Sequence, residues 1–435
     1  TKMSRPTRKR ARPVKYAEED YDTDERAEHS EEEEEEPAPT RQKTSNLGTW
    51  QQLFDNSLIV FTPKKFVQPQ YTIVTVTSFD FDSTLVETKS GRAFATGASD
   101  WKLWHKNVKT KLHDLHEAGH LLVIFTNQNG IGKGKLSVKD FQGRMEGFLN
   151  EIGEEVPIIV LAATEENHFR KPSVGMWEYL RDTLLDGSTN GVTIDMDNSI
   201  YVGDAAGRPK GWETGKKKDH SCGDRKFALN VQIQFATPEK FFLGKSEYRD
   251  WKLDGYDVKK LQSKTKTSYI AADLISSQQE VVIFVGFPAS GKSTFFKRYF
   301  GPNGYVHVNR DTLGTPAKCL KACVEALENG KSVVIDNTNP SSSAREPYIE
   351  AAKDQGVPVR CFRFKTDEEL AKHLNVFREN ISGGKHKHVP RVGYNMFKKN
   401  LEEPKKSEGF SEIKEIDFIP IFSDETTKSK FFHYT

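Results

Sequence analysis

The clearest chemical motif is the glycine-rich segment Gly286-Phe287-Pro288-Ala289-Ser290-Gly291-Lys292-Ser293-Thr294. It reads Gly-x-x-x-x-Gly-Lys-Ser and follows the continuous apolar run Val281–Val285, which predicts a buried strand. The glycines let the backbone wrap around a phosphate, and the N-terminus of the following helix attracts negative charge. We expect Lys292 to reach the β- and γ-phosphates of ATP and Ser293 to bind Mg²⁺. The predicted ATP-binding residues are Gly286, Gly291, Lys292, Ser293 and Thr294, unless the loop is a degenerate one that binds nothing.

Further along the chain than this loop, three side chains are candidates for directing phosphoryl transfer. Asp311 ends the next predicted strand in the same crevice, where it could orient and deprotonate an alcohol. Asp336 ends a third strand and could be either an acid close to Mg²⁺ or a structural cap for the following loop. Arg378 lies on a polar helical segment and could stabilise the transferred phosphoryl group from a lid, or form a surface ion pair with Glu379.

A second group of polar residues follows successive predicted strands in the first half of the chain. An acidic pair at the end of a strand is often only a solvated cap. However, the order Asp-x-Asp, Thr, Lys and Gly-Asp at four strand ends resembles the haloacid dehalogenase superfamily of phosphatases. The residues in this order are Asp80 and Asp82, Thr126, Lys171, and Asp204.

The chemistry of such a site requires these residue types. Asp80 would be the nucleophile and form an aspartyl-phosphate. Asp82 would protonate the leaving oxygen and then activate water to hydrolyse the intermediate. Thr126 and Lys171 would hold the phosphate oxygens and offset the charge that develops on them. An acid at the Asp82 position favours a phosphatase over the ATPase members of the superfamily.

The anionic nucleophile must approach an anionic phosphate, and Mg²⁺ would relieve their repulsion. The predicted ligands are Asp80, the backbone carbonyl of Asp82 and the carboxylate of Asp204. Members of the superfamily often add a second acid after this position. Asp219 and Asp224 are both candidates for it, and the sequence does not choose between them.

The spacing of the motifs leaves no room for a large cap domain between Asp80 and Thr126 or between Thr126 and Lys171. An open site suits a phosphate at the end of a polymer better than a small metabolite. Lysines fall in the predicted loops around the site and could be either a solvated face or a nucleic-acid footprint. These lysines are Lys133, Lys135, Lys216, Lys217 and Lys218.

The hydrophobic pattern alternates between strands and amphipathic helices twice along the chain. We therefore expect an α/β protein with two doubly wound parallel sheets. The predicted organisation is a disordered charged tail over residues 1–45, a phosphatase-like domain over 46–250, a linker over 251–279 and a kinase-like domain over 280–435.

The net charge of +2 hides an uneven distribution over the 435 residues. Residues 1–45 hold 10 basic and 13 acidic residues, whereas the remainder holds 54 and 49 and is net positive. The basic cluster between Arg5 and Lys15 is either part of a functionless tail or a nuclear-import signal, so we expect a nuclear location. The sequence shows no membrane span or signal peptide. Four cysteines, with Cys319 and Cys323 interpreted as thiols on a packed helix, indicate a reducing compartment.

The combination of both motif sets resembles the eukaryotic polynucleotide kinase/3′-phosphatases, over roughly residues 50–420. The resemblance implies removal of a 3′-phosphate and ATP-dependent phosphorylation of a 5′-hydroxyl at DNA strand breaks. It also implies DNA repair proteins as partners, although a charged tail stands here where mammalian members have a forkhead-associated domain. Segments that carry the resemblance include Phe125–Gly134, Arg170–Trp177, Tyr201–Pro209, Lys216–Asn230, Phe235–Leu243, Gly286–Phe295, Tyr305–Gly314 and Val333–Pro340.

Two other functions remain open at this point. The chain could heal RNA or tRNA ends, because no residue that would contact a 2′-hydroxyl can be identified from sequence. It could instead be a repair scaffold with vestigial catalysis and a docking tail, although the motifs are complete. We expect a monomer, with Mg²⁺ and ATP as the cofactors.

Overall fold

A computed structural model of the chain describes residues 41–70, 72–186, 189, 191–262, 268–382, 386 and 388–435. Most of the predicted tail therefore lies outside the described residues. The strands of the first half are β1 Arg41–Thr44, β2 Gly48–Leu53, β3 Leu58–Pro63, β4 Ile73–Val74, β5 Val76–Phe79, β6 Val86–Glu87, β7 Lys102–Leu103, β8 Leu121–Asn127, β9 Ile158–Ala163, β10 Thr193–Ile194, β11 Ile200–Val202 and β12 Gln234–Ala236.

Eight of these strands form one sheet in the order β1-β2-β3-β9-β8-β5-β11-β12. Strand β5 lies between β8 and β11 and is parallel to both, with Phe79 opposite Ile124 on one side and Val202 on the other. Strands β8 and β9 are nearly continuous apolar runs, as expected for a covered parallel sheet, whereas the buried strand β5 also contains Thr77 and Ser78. The carboxyl ends of β8, β5 and β11 consequently meet at one edge, where the predicted phosphatase residues begin.

The edge of this sheet formed by β1, β2 and β3 differs from the prediction. These strands pair antiparallel with one another, and β3 is antiparallel to β9. Three consecutive residues with positive φ, Phe54, Asp55 and Asn56, form the turn that reverses the chain between β2 and β3. The folded part thus includes Arg41–Thr44, so the predicted tail boundary at residue 45 is too late.

Helices cover both faces of the sheet and carry several of the residues discussed below. Lys102–Leu103 pairs with Val86–Glu87, so the first helix begins only at Asn107. The helices of the first half are α1 Asn107–Glu117, α2 Asn129–Gly132, α3 Val138–Ile152, α4 Gly175–Tyr179 continuing into a π-helical turn at Leu180–Leu184, α5 Gly223–Val231, α6 Pro238–Leu243 and α7 Lys259–Gln262.

The second half of the chain builds a five-stranded sheet in which every pair of neighbours is parallel. The strands that precede the glycine-rich loop, Asp311 and Asp336 match the prediction, and two further strands complete the sheet. The strands are β13 Val281–Val285, β14 Val306–Val308, β15 Val333–Ile335, β16 Val359–Phe364 and β17 Glu412–Ile416, in the order β14-β15-β13-β16-β17.

The helices of the second half complete a doubly wound α/β arrangement, so the predicted fold class is confirmed. Within the described residues, no helix is both long and apolar enough to cross a membrane. The helices are α8 Lys292–Phe295 continuing into a π-helical turn at Phe296–Phe300, α9 Arg310–Leu313, α10 Pro316–Glu328, α11 Ser342–Asp354, α12 Glu368–Ile381, α13 Arg391–Asn400 and α14 Glu425–Phe431, with 3₁₀ turns at Ala271–Asp273, Gly301–Asn303 and Lys406–Glu408.

Parts of the segment predicted as a linker are packed against the rest of the protein. Leu261 on α7 is buried with Leu370 and Phe431, and Leu274 is buried against the second sheet. The linker predicted over 251–279 therefore includes apolar side chains that are buried in the core. Residues 263–267 lie outside the described residues.

Candidate active sites

The carboxylate of Asp80 lies at the end of β5 and is bound by the ammonium group of Lys171. Lys171 Nζ donates to Asp80 Oδ1 at 2.8 Å and to Asp224 Oδ1 at 2.8 Å, and it also contacts the hydroxyl of Tyr201. Only 2% of the Lys171 side chain is exposed. Burial alone would lower the pKa of Lys171, but its ion pairs with the two carboxylates raise it. A fixed positive charge therefore lies beside the predicted nucleophile.

Three carboxylates converge next to this lysine. One oxygen each of Asp80, Asp204 and Asp224 lies within 4.8 Å of the others. Burial raises the pKa of Asp80 to about 7, and it raises the pKa of Asp204 well above its usual value. One lysine does not compensate three crowded acids, so the donor set fits a hard divalent cation with oxygen ligands.

Of the two acids left open in the sequence analysis, Asp224 is the one that lies in this group of three carboxylates. Asp224 lies in the first turn of α5, and its Oδ2 accepts a hydrogen bond from the backbone N–H of Ala205 at 3.0 Å. Asp219 is instead bound by Arg208, whose Nε lies 2.8 Å from Asp219 Oδ2. Glycine is required at position 203, because a Cβ there would lie 2.4 Å from Asp224 Oδ2.

Both oxygens of the Asp82 carboxylate are held by side chains that the sequence analysis did not identify. Arg144 on α3 donates to Oδ1 at 2.7 Å, and Gln128 donates Nε2 to Oδ2 at 2.8 Å. Gln128 Nε2 also lies 2.9 Å from the hydroxyl of Thr126. Arg144 is only 1% exposed, and its guanidinium group lies over the ring of Phe81. The two hydrogen bonds fix the orientation of the Asp82 carboxylate. The Asp82 side chain is nevertheless 43% exposed, so it remains accessible from solvent.

The glycine-rich loop of the second half has the predicted strand–loop–helix setting between β13 and α8. Lys292 Nζ donates to the carbonyl oxygens of Gly286 at 3.1 Å and Phe287 at 2.6 Å, and to the hydroxyl of Ser290 at 3.3 Å. Gly291 has a φ of +93°, which favours glycine. Burial lowers the pKa of Lys292 to about 8. The neighbouring residues Ser293 and Thr294 are exposed.

A cavity of about 570 Å³ brings this loop together with the other predicted kinase residues. Asp311 is exposed in α9, where its backbone N–H binds the side chain of Asn309 at 2.8 Å. Arg378 also lines the cavity and donates to Asn375, while its neighbour Glu379 pairs with His388. The structure thus favours the lid position of Arg378 over the ion pair with Glu379.

Asp336 lies at the floor of the same cavity. Its Oδ2 is 2.8 Å from His307 Nε2, while its buried Oδ1 has no hydrogen-bond partner within the described part of the chain. A buried carboxylate oxygen without a protein partner is unusual and marks a place for a cation or its water shell. Asp336 therefore fits the acid near Mg²⁺ better than a structural cap.

Comparison with known proteins identifies both halves. Residues 75–242 match the family described as "Polynucleotide kinase 3 phosphatase", and residues 315–404 match an "AAA domain". A bifunctional polynucleotide phosphatase/kinase of Schizosaccharomyces pombe is 40% identical over 78% of this chain and 79% of that protein. The chain belongs to the bifunctional polynucleotide phosphatase/kinase family. It is accordingly a bifunctional end-processing enzyme with a phosphatase half and a kinase half.

Two further relatives of this phosphatase/kinase agree with that division. A putative bifunctional polynucleotide phosphatase/kinase of Acanthamoeba polyphaga mimivirus is 34% identical over 79% of this chain and 85% of that protein. A polynucleotide 3′-phosphatase of Arabidopsis thaliana is 36% identical over 39% of this chain and 24% of that protein.

In this phosphatase/kinase, the structure brings all the predicted site residues into two groups. Asp80, Asp82, Thr126, Lys171 and Asp204 surround the edge where β8, β5 and β11 end. The predicted ATP-binding residues from Gly291 to Thr294, with Asp311 and Arg378, line the cavity, and Gly286 begins the same loop.

Sequence reasoning missed four residues that contact the phosphatase group. Tyr201 and Gln128 lie within two residues of recognised motifs, so their positions in Tyr201-Val202-Gly203-Asp204 and Thr126-Asn127-Gln128 were a usable signal. Arg208 likewise lies four residues after Asp204, whereas Arg144 gave no such signal, because it reaches Asp82 from 62 positions along the chain.

Proposed function

We propose that this enzyme prepares DNA strand breaks for ligation, by removing 3′-phosphates and phosphorylating 5′-hydroxyls with ATP. The observation that carries the proposal is the convergence of Lys171 with Asp80 and Asp224 at 2.8 Å in one half, together with a cavity that contains both Lys292 and Asp311 in the other. A single chain with these two sites can act on both ends of a break.

For the phosphatase half, we propose that Asp80 attacks the 3′-phosphate and forms an aspartyl-phosphate. Asp82, oriented by Arg144 and Gln128, delivers a proton to the leaving 3′-oxygen and then takes one from the attacking water. Lys171 and Thr126 bind the phosphate oxygens. Asp80, Asp204 and Asp224 would hold Mg²⁺, which lowers the repulsion between the nucleophile and the phosphate when it is bound.

For the kinase half, we propose that the loop from Gly286 to Thr294 cradles the phosphates of ATP. Lys292 binds the β- and γ-phosphates, and Ser293 with Asp336 would hold Mg²⁺. Asp311 accepts the proton of the 5′-hydroxyl, and Arg378 neutralises charge on the transferred phosphoryl group.

We further propose that the enzyme acts in the nucleus with DNA repair proteins. The support is the basic cluster between Arg5 and Lys15 and the family's action on polynucleotide ends. The cluster lies outside the described residues. Fusion of residues 1–45 to a fluorescent protein tests the location directly, and a fusion that stays in the cytoplasm would contradict it.

The function is tested with labelled oligonucleotides that carry a 3′-phosphate and a 5′-hydroxyl. With Mg²⁺ alone we expect loss of the 3′-phosphate, and with Mg²⁺ and ATP we expect phosphorylation of the 5′-hydroxyl as well. A chelator should stop both reactions, because both sites contain crowded or unpartnered carboxylates. Matched RNA oligonucleotides are the control for substrate class, and faster reaction of the RNA ends would contradict the assignment to DNA.

The loop after Asp204 provides a candidate track for the nucleic-acid backbone. Lys216, Lys217 and Lys218 are exposed on it, and Trp212 anchors it. The Trp212 ring lies 3.7 Å from the guanidinium carbon of Arg208, and its Nε1 donates to the Lys217 carbonyl at 3.1 Å. Arg208 in turn donates to the backbone carbonyl of Asp204, so contacts through Trp212 and Arg208 connect the loop of the three lysines to the phosphatase site.

Replacing Lys216, Lys217 and Lys218 together with Gln should weaken substrate binding without slowing the chemical step. We expect the KM for a 3′-phosphorylated oligonucleotide to rise about tenfold, with a smaller salt dependence, because about 0.7 counterions are released per phosphate contact on a single strand. The kcat and the hydrolysis of p-nitrophenyl phosphate should not change. The matched control removes equal charge at the exposed residues Lys318, Lys321 and Lys331. Equal effects of the two triple variants on KM would show that the loop is not the track.

A further inference from the structure

The side-chain amide of Asn230 joins three parts of the chain. Asn230 lies on α5 and is only 6% exposed. Its Nδ2 donates to the carbonyl oxygens of Pro172 and Tyr434, both at 2.8 Å, and its Oδ1 accepts from the Tyr434 backbone N–H at 2.7 Å. A side-chain amide has two donor hydrogens and one acceptor oxygen, and the three bonds of Asn230 use both hydrogens and the oxygen.

A second residue of α5 binds the same segment of the chain. Lys226, one turn before Asn230, donates Nζ to the Thr435 backbone oxygen at 2.7 Å and to Asp254 at 2.8 Å. Lys226 is 4% exposed, so these bonds are largely shielded from water. We refer to Phe431–Thr435 as the clasp.

The other side of the clasp is fixed to the kinase half. Phe431 is 1% exposed and packs with Leu370 and Leu374 of α12. His373, on the same helix, lies 3.2 Å from the Thr435 hydroxyl through its Nδ1. Helix α12 also carries Arg378 into the kinase cavity. The clasp therefore connects the helix of the kinase lid arginine to the phosphatase half.

The groups that Asn230 holds are direct neighbours of the phosphatase site. Pro172 follows Lys171, and α5 begins with the turn that contains Asp224. Lys171 and Asp224 make a 2.8 Å ion pair inside the site. A shift of α5 against the Lys171–Pro172 segment would change that geometry, and a displacement of about 1 Å can cost up to ~100-fold in rate.

We propose that Asn230 is a positioning residue through which the clasp keeps Lys171 and Asp224 in register for the phosphatase reaction. The inference rests on the proposed function of that site. It assigns to the kinase half a structural task in the phosphatase reaction, in addition to its own phosphoryl transfer.

The test compares two substitutions at Tyr434, whose backbone makes the bonds to Asn230. Tyr434→Pro removes the N–H donor, whereas Tyr434→Ala removes the side chain and keeps that donor. We expect Tyr434→Pro to lower the kcat for 3′-phosphate removal about tenfold, with KM and kinase kcat changed less than about twofold. Tyr434→Ala should match the wild type in both reactions.

The double variant Asn230→Ala, Tyr434→Pro extends the test. If the two residues act as one unit, the phosphatase kcat of the double variant should be no lower than that of the less active single variant, Asn230→Ala or Tyr434→Pro. The proposal is overturned if Tyr434→Pro and Tyr434→Ala have the same phosphatase kcat. It is also overturned if the phosphatase activity, the kinase activity and the melting temperature of Tyr434→Pro all fall together. Absence of 3′-phosphatase activity in the wild type would instead contradict the proposed function, so the two failures are distinguishable.

Discussion

Asp80→Asn should lower 3′-phosphatase activity by at least about a thousandfold, because it replaces the nucleophilic oxygen with an amide that does not attack phosphorus. The measurement is the turnover of a 3′-phosphorylated oligonucleotide at saturating substrate and Mg²⁺. Asparagine has nearly the same shape and removes one negative charge from three crowded carboxylates. We therefore expect the melting temperature to stay the same or rise, since burial already disfavours the charged form of Asp80.

The kinase activity of the same protein is the control for Asp80→Asn. The kinase residues lie on the second sheet, so 5′-phosphorylation should remain within about twofold of the wild type. Retention of substantial phosphatase activity in a pure, folded sample would contradict the assignment of Asp80 as nucleophile. Loss of both activities would indicate a general structural defect instead.

Lys292→Met should have the opposite effect. Methionine keeps the buried stem but removes the ammonium group, so we expect kinase turnover to fall about 100- to 1000-fold while phosphatase turnover remains. The substitution leaves the Gly286 and Phe287 carbonyls without their donor, but it also removes an ammonium group that burial disfavours, so we expect only a small net change in stability.

The assays of Lys292→Met are run well below its melting temperature, with the phosphatase reaction as the internal control. ATP binding, measured by calorimetry, separates the two roles of the lysine. Loss of turnover with unchanged ATP affinity would place Lys292 mainly in the transition state, and loss of both would place it in ground-state binding as well. Unchanged kinase turnover would contradict its assignment.

The residues at strand ends could be predicted because their chemistry is local. A buried strand that ends at or near Asp80, Thr126 or Asp204 identifies the element and the edge at which the side chain appears. The same holds for Lys292, whose motif specifies both the loop and the helix. The parallel register of β5 with β8 and β11 then brings these residues together without further information.

The remaining parts of the sites depend on contacts between distant segments. Asp224 is distinguished from Asp219 by its ion pair with Lys171, which lies 53 positions away along the chain. Arg144 reaches Asp82 from 62 positions along the chain, and Asn230 reaches Tyr434 from 204. The β2–β3 hairpin was not predicted, although Asp55 and Asn56 in its turn are residue types that favour turns and tolerate positive φ.

The hydrogen bonds that Lys292 makes within its own loop have a kinetic consequence. Ordering a flexible loop costs roughly 1–2 kcal/mol per residue, and here that ordering takes place when the chain folds. An arriving triphosphate exchanges partners with Lys292 and does not have to organise the backbone first. We expect nucleotide association to follow simple second-order kinetics, with a rate limited by encounter rather than by a slow rearrangement of the loop.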